Sequence, residues 1–533
     1  MIGRDRASRE ALEHFLTRGL LILSIQMNTA QGLEPASFNE QPQQEAQTGT
    51  IQAWGDAERE RWVADFRQLI DEMSVHYANL EWAVNDRHMD LAALRSETED
   101  RIRSARSEDE ERKLLSKFLD AFGDGHLELR WPKGRSVNPP PAHPDGETTG
   151  ICSRLGYVHR GKRGVDFSLL AGYQPISDED STDFPGGILK LHNGVSVGII
   201  RIAILSEHDF PDACAEAISR LRLADSEHCD DKCDDKVESE TASVLLGKLQ
   251  RRAAALRRSG AEYLLVDITQ NGGGSDWVDP VARTLSPVPL QDSRMLFMRH
   301  EHWTHQIQDS LDDIEADLRN GKSQRGLLEQ SEKVMQKALS QSKERCDQSP
   351  LWAGGEPSCS LMVPGLRFPV EVLPYAKPGS FPELKSRTRL FYALRYSYEE
   401  SANKLPLLVL IDKDTWSAAE YLPAILQDNK AATIIGELTG GAGCGYTNDG
   451  IPTVLKNSGG TVKMPDCIRL RADSSNEVDG VTPDVLVAWA ARDTPIQRAH
   501  KLELVLNATI WKHRTGTSHR LAQDTRPLGQ GME

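Results

Sequence analysis

The chain reads as an α/β protein built on a substantially parallel sheet. Three observations predict it. Apolar runs of strand length, YLLVDI (263–268), LPLLVLI (405–411) and TIIGE (433–437), alternate with helical segments. That is the rhythm of strands buried on both faces of a sheet. Two of the runs end in loops rich in glycine or hydroxyls, QNGGGS (270–275) and DKDTWSAAE (412–420), as binding loops do at the carboxyl ends of strands. The chain has 533 residues and is 39% hydrophobic, ample for a core and for more than one domain.

The elements follow in order. Arg4, Arg6 and Arg9 precede GLLILSI (19–25), and small residues follow around Ala30. Positive, apolar, small is the order of a secretory signal over 1–30, with a frayed helix as the alternative. Residues 31–50 are poor in large apolar side chains and read as a disordered linker. Residues 51–125 read as a helical domain, because Trp62, Phe66, Leu69, Ile70 and Met73 recur at spacings of three and four. The proline-rich stretch 134–150 breaks the chain. A β-rich module is expected over 126–195, built of short strands and glycine turns. SVGIIRIAIL (196–205) opens the first part of the core, 196–300, whose residues 212–258 are helical around the acidic HCDDKCDDK (228–236). Residues 301–400 interrupt the strand–helix rhythm with two charged amphipathic helices (303–345) and a Cys/Pro/Gly-rich loop (346–370). They read as an insertion, a possible lid. The second part of the core, 401–513, carries strand 405–411, helix 416–428, strand 433–437, short strands to 487 and a helix over 494–512. A disordered tail, 514–533, closes the chain.

Charge and cysteines bound the function. A net charge of −16 and a pI near 5.5 argue against a nucleic-acid binder, which must neutralise phosphates. No run of about 20 apolar residues is present, so no transmembrane helix is expected. Eight cysteines, at 152, 214, 229, 233, 346, 359, 444 and 467, suit an oxidising compartment. Cys229/Cys233 and Cys346/Cys359 are close enough in sequence to close small loops, while the full connectivity stays open. A lone C-x₃-C with one His lacks a second ligand pair, so no metal is expected.

Two loops and one histidine carry the chemistry. Three consecutive glycines at 272–274 let backbone N–H groups face a ligand, as in an oxyanion hole. They fit neither common phosphate-loop pattern, and a flexible turn is the plain alternative. Ser417 stands where a strand turns into a helix. With Glu420 three residues on, it fits a capping box. A nucleophile at a helix N-terminus gains from the same geometry, so the local pattern leaves both open. A serine nucleophile needs a base. His126, in FGDGHLELR (122–130), is the candidate, although a lone loop His is more often surface decoration.

Together these blocks resemble the C-terminal processing (tail-specific) serine peptidases, especially their tricorn-like and interphotoreceptor-retinoid-binding-protein-like relatives. The resemblance is carried by DGH (124–126), VGIIRI (197–202), LLVDITQNGGG (264–274), the 405–427 block, IIGELTGGAG (434–443) and EVDGVTPDVLV (477–487). It implies a crotonase/ClpP-like β-α spiral core with an N-terminal helical bundle and a small β module. It implies Ser417 as nucleophile, and an oxyanion hole from the N–H groups of Gly272, Gly273 and Ala418. The lysine of the processing branch is replaced by Ala442. The tricorn-like branch instead uses a histidine, matching His126, and a glutamate, matching Glu477. Its serine just before the histidine is here Gly125, so Glu477 must reach His126 directly or through water, or Asp124 must orient it. Thr415 is then the better helix cap, and Glu420 supports the first turn by its charge. The implied activity is hydrolysis of a peptide or unfolded protein, with no cofactor and no metal. A neutral His126 is needed, so activity should fall on acidification. The alternative is a catalytically inactive peptide- or lipid-binding protein on the same fold. The location implied is periplasmic or secreted, with cytoplasmic as the alternative.

Overall fold

The computed structural model describes residues 54–132, 150–224, 228–321, 323–362, 371–446 and 452–515. The signal-like segment, the linker, most of the proline-rich break and nearly all of the tail lie outside these residues. Four helices come first: α1 (Asp56–His76), α2 (Leu80–Asn85), α3 (Leu91–Ser104) and α4 (Glu108–Asp120). Asp90 and Ser107 cap α3 and α4 by accepting the N–H groups of Ala93 and Glu110. The apolar stripe of α1 is buried, but these helices do not close a core by themselves. Trp352, Leu455, Val462, Met464 and Val478 complete it.

The short strand β1 (Glu128–Arg130) follows. The stretch from 151 departs from the expected strands. It forms one helical turn, α5 (Ile151–Arg154), and a 3-10 turn at Phe167–Leu169. The causes are local: Cys152 is bonded to Cys214, and the Asp166 side chain captures the N–H of Ser168. Then come β2 (Tyr173–Pro175), β3 (Gly186–Lys190) and β4 (Ser196–Arg201), followed by α6 (Pro211–Leu221), α7 (Asp231–Arg258), β5 (Tyr263–Asp267) and α8 (Val278–Leu285). The inserted block holds β6 (Met295–Phe297), α9 (His302–Arg319), α10 (Arg325–Ser342) and α11 (Arg387–Leu390). The remainder holds β7 (Leu407–Ile411), α12 (Ala418–Asp428), β8 (Ala432–Gly436), β9 (Thr453–Val454), β10 (Thr461–Lys463), β11 (Cys467–Arg469), β12 (Val485–Leu486) and α13 (Pro495–Thr515).

A seven-stranded sheet of order β12-β8-β7-β5-β4-β3-β2 organises these elements. β4, β5, β7, β8 and β12 run parallel, and β3 and β2 extend the sheet antiparallel. The architecture is thus mixed α/β with a largely parallel centre. Every residue of β5 and β7 is buried. Alternate residues serve opposite faces, as the strand period of two requires. Leu264, Val266, Val409 and Ile411 pack with residues of α7, α8 and α12, while Leu265, Leu408 and Leu410 pack under α13. The loops after β4, β5, β7 and β8 therefore gather at one edge, the carboxyl edge.

Two small sheets flank it. β1 pairs with β10, placing the residues after His126 beside the C-terminal half of the chain, and β11 pairs with β6. α9 and α10 share a core with Phe297, Met362, Cys444 and Cys467. The eight cysteines form four disulfides, 152–214, 229–233, 346–359 and 444–467. Both close pairs singled out in the sequence are among them, and Cys229 is thereby withdrawn from any thiolate metal site. No described helix is long and apolar enough to cross a membrane.

Candidate active site

Ser417 sits between β7 and α12 with φ 57° and ψ −124°. A positive φ is costly for a residue with a Cβ, of order 1–3 kcal/mol, and needs surrounding structure to hold it. Two bonds do so. The Trp416 N–H donates to the Asn271 carbonyl (2.9 Å), and the Ser417 N–H donates to Glu420 Oε2 (2.9 Å). The Ser417 hydroxyl makes no capping bond to its own helix. It lies 2.9 Å from His126 Nε2. Thr415 is not the cap that the sequence suggested. It is buried, and its hydroxyl is engaged with the Asp412 carboxylate (3.2 Å) and the Ile268 carbonyl (3.2 Å), closing the turn after β7.

His126 is fixed from its other nitrogen. Nδ1 lies 2.6 Å from the Ala442 carbonyl. A carbonyl oxygen only accepts, so Nδ1 carries the proton and Nε2 presents its lone pair to the serine hydroxyl. Both ring nitrogens are thereby used. Asp124 holds the backbone instead: Oδ1 accepts the His126 N–H (3.0 Å), while Oδ2 accepts from Tyr77 (3.1 Å) and Asn79 (2.8 Å). Burial pushes the Asp124 carboxyl up, and the neighbouring His126 and these donors oppose that rise. The Gly125 N–H donates to the Gly441 carbonyl (3.1 Å). A Cβ at 125 would lie 2.4 Å from the Trp416 indole, so the turn has no room for the serine of the family pattern.

Glu477 does not meet His126. Its carboxylate takes both arms of the Arg469 guanidinium, from Nε (2.5 Å) and from the second terminal nitrogen. Such a bidentate pair fixes the orientation of the carboxylate. Arg469 in turn donates to the Gly443 carbonyl (3.2 Å). Glu477 therefore braces the 439–445 loop, one residue beyond the carbonyl that orients His126.

Glu420 is the residue that sequence reasoning undervalued. It is fully buried. Oε1 accepts from the Thr439 hydroxyl (2.6 Å) and the Gly441 N–H (2.8 Å), and Oε2 accepts from the N–H groups of Ser417 (2.9 Å) and Ala442 (2.9 Å). Burial raises its carboxyl above the ordinary range, and these donors pull the other way. One side chain thus ties the Ser417 backbone to the loop that orients the His126 ring. The signal was the Ser–x–x–Glu spacing itself, which also describes an ordinary cap.

The glycine loop abuts the serine. A Cβ on Gly273, whose φ is +102°, would lie 2.8 Å from Ser417 Cβ. The Gly273 N–H does not face outward, however. It donates to Asn271 Oδ1 (2.9 Å), because the Asn271 side chain folds back over the turn. Gly272 is exposed, and its N–H and that of Ala418 at the first position of α12 have no acceptor among the described residues. Gly440 and Gly445 admit the rings of Trp416 and His126, which a Cβ would meet at 2.3 and 2.9 Å. No cluster of His, Cys, Asp or Glu among the described residues is arranged to hold a metal ion.

Comparison with known proteins places a large part of the chain near one peptidase family. The family model for peptidase family S41 matches residues 245–487. A protein of Chlamydia pneumoniae is 28% identical over 250 residues, 44% of this chain and 35% of that one. The carboxyl-terminal-processing protease of Synechocystis is 27% identical over 137 residues, 24% of this chain and 31% of that one. The matches thus span about a third of the length of these curated relatives. Among solved structures, mature CPAF superposes with a TM-score of 0.52 at 15% identity, over 86% of this chain and 98% of that one, which is a likeness of fold. Over residues 245–487 the chain matches peptidase family S41, and the relatives it resembles there include a carboxyl-terminal-processing protease.

Proposed function

We propose that the protein is a serine peptidase in which Ser417 is the nucleophile and His126 the general base. One observation carries this reading: the 2.9 Å approach of His126 Nε2 to Ser417 Oγ, across 291 residues of sequence, with Nδ1 already committed to a carbonyl. His126 takes the hydroxyl proton as Oγ attacks a peptide carbonyl. The imidazolium that forms is stabilised by the Ala442 carbonyl dipole, in the place where a carboxylate stands in a Ser-His-Asp triad. The oxyanion rests on the N–H groups of Gly272 and Ala418, and the α12 N-terminus adds its partial charge. Gly273 contributes close approach rather than a donor. His126 then returns the proton to the leaving amine, and water hydrolyses the acyl-enzyme.

The spiral arrangement of the core, a lid role for 301–400, and a peptide or unfolded-protein substrate belong to the same proposal. So does export, which the four disulfides support. A fluorophosphonate probe tests the centre of it. The parent protein should label, and Ser417→Ala and His126→Ala should not. A folded parent that takes no label removes the reading, and labelling of Ser417→Ala moves the nucleophile elsewhere.

A further inference from the structure

A cleft of about 540 Å³ lies apart from Ser417 and His126, along the continuation of β4. After Arg201 the chain runs on through 202–206. On one side it is tied to the glycine loop: the Leu205 N–H donates to the Gly273 carbonyl (2.9 Å), and the Ser275 N–H donates to the Leu205 carbonyl (2.7 Å). On the other side β3 has ended, and its flank last meets this strand where the Arg201 N–H donates to the Pro185 carbonyl (2.8 Å). Ala203 and Ile204 are therefore left with backbone N–H and C=O groups that have no partner among the described residues, half-buried in the wall of the cleft. Unpaired backbone that continues a sheet strand in this way can accept an extended chain as an added strand.

The adjoining wall is basic, and it reaches Ala203 itself, since a Cβ on Gly161 would lie 2.9 Å from the Ala203 Cβ. It is the loop 159–165, HRGKRGV. Gly164 lets that loop lie on the floor, since a Cβ there would sit 2.3 Å from Asp267 Oδ2 and 2.8 Å from the Arg201 guanidinium. The acids of the lining are largely spent. Asp267 pairs with Arg201 (3.1 Å) and Asp183 with Lys248 (2.5 Å). Burial raises the Asp209 carboxyl while the Arg160 N–H and the charges of Arg160, His159 and His208 oppose that rise, and Asp166 stands exposed at the mouth. Lys162 and Arg163 are exposed and form no ion pair among the described residues. In a chain of net charge −16, two exposed cations with no ion pair among the described residues, beside this backbone, favour acidic groups that the rest of the surface repels.

We propose that this cleft is an exosite for an extended acidic segment of the substrate polypeptide. The segment's backbone adds to the edge at Ala203 and Ile204, and its carboxylate side chains meet Lys162 and Arg163. The inference rests on the peptidase reading for the identity of the peptide as substrate. The added strand would lie three strand positions from β7, roughly 14 Å, so it grips the substrate about four extended residues from the scissile bond.

Binding can be measured without turnover, in Ser417→Ala protein, by fluorescence anisotropy. The probe is a labelled, C-terminally amidated peptide of roughly ten residues alternating Glu and Val. It should bind at least tenfold more tightly than the same peptide with Gln for Glu, the size of effect that about two partly exposed ion pairs supply. Lys162→Glu/Arg163→Glu should abolish that preference and favour a Lys-for-Glu peptide. Methylating alternate backbone nitrogens of the probe should weaken it about tenfold or more, which a purely electrostatic patch would not show. Equal binding of the Glu and Gln peptides, or indifference to charge reversal, overturns the exosite. So does a preference that appears only with a free terminal carboxylate. If no peptide binds while the parent still takes a fluorophosphonate on Ser417, the exosite falls and the peptidase reading stands.

Discussion

Ser417 and His126 are held by groups with no catalytic look in the sequence. The Ala442 carbonyl, not a carboxylate, sets the imidazole tautomer, and Glu420 sets that carbonyl by holding the adjoining N–H. Glu420→Gln replaces one acceptor oxygen by a donor, leaving buried N–H groups unmatched at about 1–3 kcal/mol each. We expect kcat to fall about 10- to 100-fold, with KM little changed and the fold intact by circular dichroism. An unchanged kcat would return Glu420 to the role of an ordinary cap. A second buried acid, Glu207, accepts a bond from Ser275 beside the glycine loop, and burial and Glu238 push it up to about 8 from an ordinary 4.5. Between those values the folded chain keeps a proton that the unfolded chain has lost, so stability falls as pH rises through this window. Glu207→Gln should raise unfolding stability at pH 8 by roughly 4 kcal/mol, and the gain should vanish towards pH 4.5. Urea midpoints at the two pH values check this, and a gain independent of pH would contradict it.

At the scale of elements, the 439–446 loop decides whether the site exists. It carries no regular secondary structure, yet Glu420 holds it from one side and Arg469–Glu477 from another, and the Cys444–Cys467 disulfide fastens it to β11. That bridge spans 23 residues of sequence, for which chain entropy gives about 3 kcal/mol. Cys444→Ser/Cys467→Ser should lose stability of that order in denaturant titrations and should also lower kcat. Loss of stability with full kcat would show that the loop is held without the bridge. The inserted helices α9 and α10 pack on this same disulfide. They thereby share a core with the anchor point of the 439–446 loop.

At the scale of the molecule, the N-terminal helices and the C-terminal half share one core. Phe66, Phe118 and Phe122 pack with Trp352, and Leu455, Val462 and Val478 belong to the same cluster. His126 follows directly on these helices, so the packing that completes their core also brings its imidazole to the Ser417 hydroxyl. A fragment of residues 51–125 should show little cooperative thermal unfolding alone, whereas the full chain should lose this region and the rest in one transition. Cooperative melting of the isolated fragment would show that the shared core is dispensable. The strong negative charge of the whole surface is also what makes the basic cleft beside β4 stand out.

The strand–helix rhythm, the apolar stripe of α1, the glycine loop, and Ser417 and His126 as chemically capable groups are all legible in the sequence. These are local properties: periodicity, turn chemistry and side-chain type all lie within a few residues of one another. What only the tertiary structure decided is how those groups are held. Glu477 turns to Arg469 because a buried guanidinium beside it takes both its oxygens, and nothing in the spacing of 469 and 477 announces that pairing. Gly125 is bare because the Trp416 ring, 291 residues away, fills the space. Gly273 loses its N–H to the Asn271 side chain. A backbone carbonyl such as that of Ala442 has no residue type at all, so its place beside His126 was legible only once the 439–446 loop had been folded against the turn that bears the histidine.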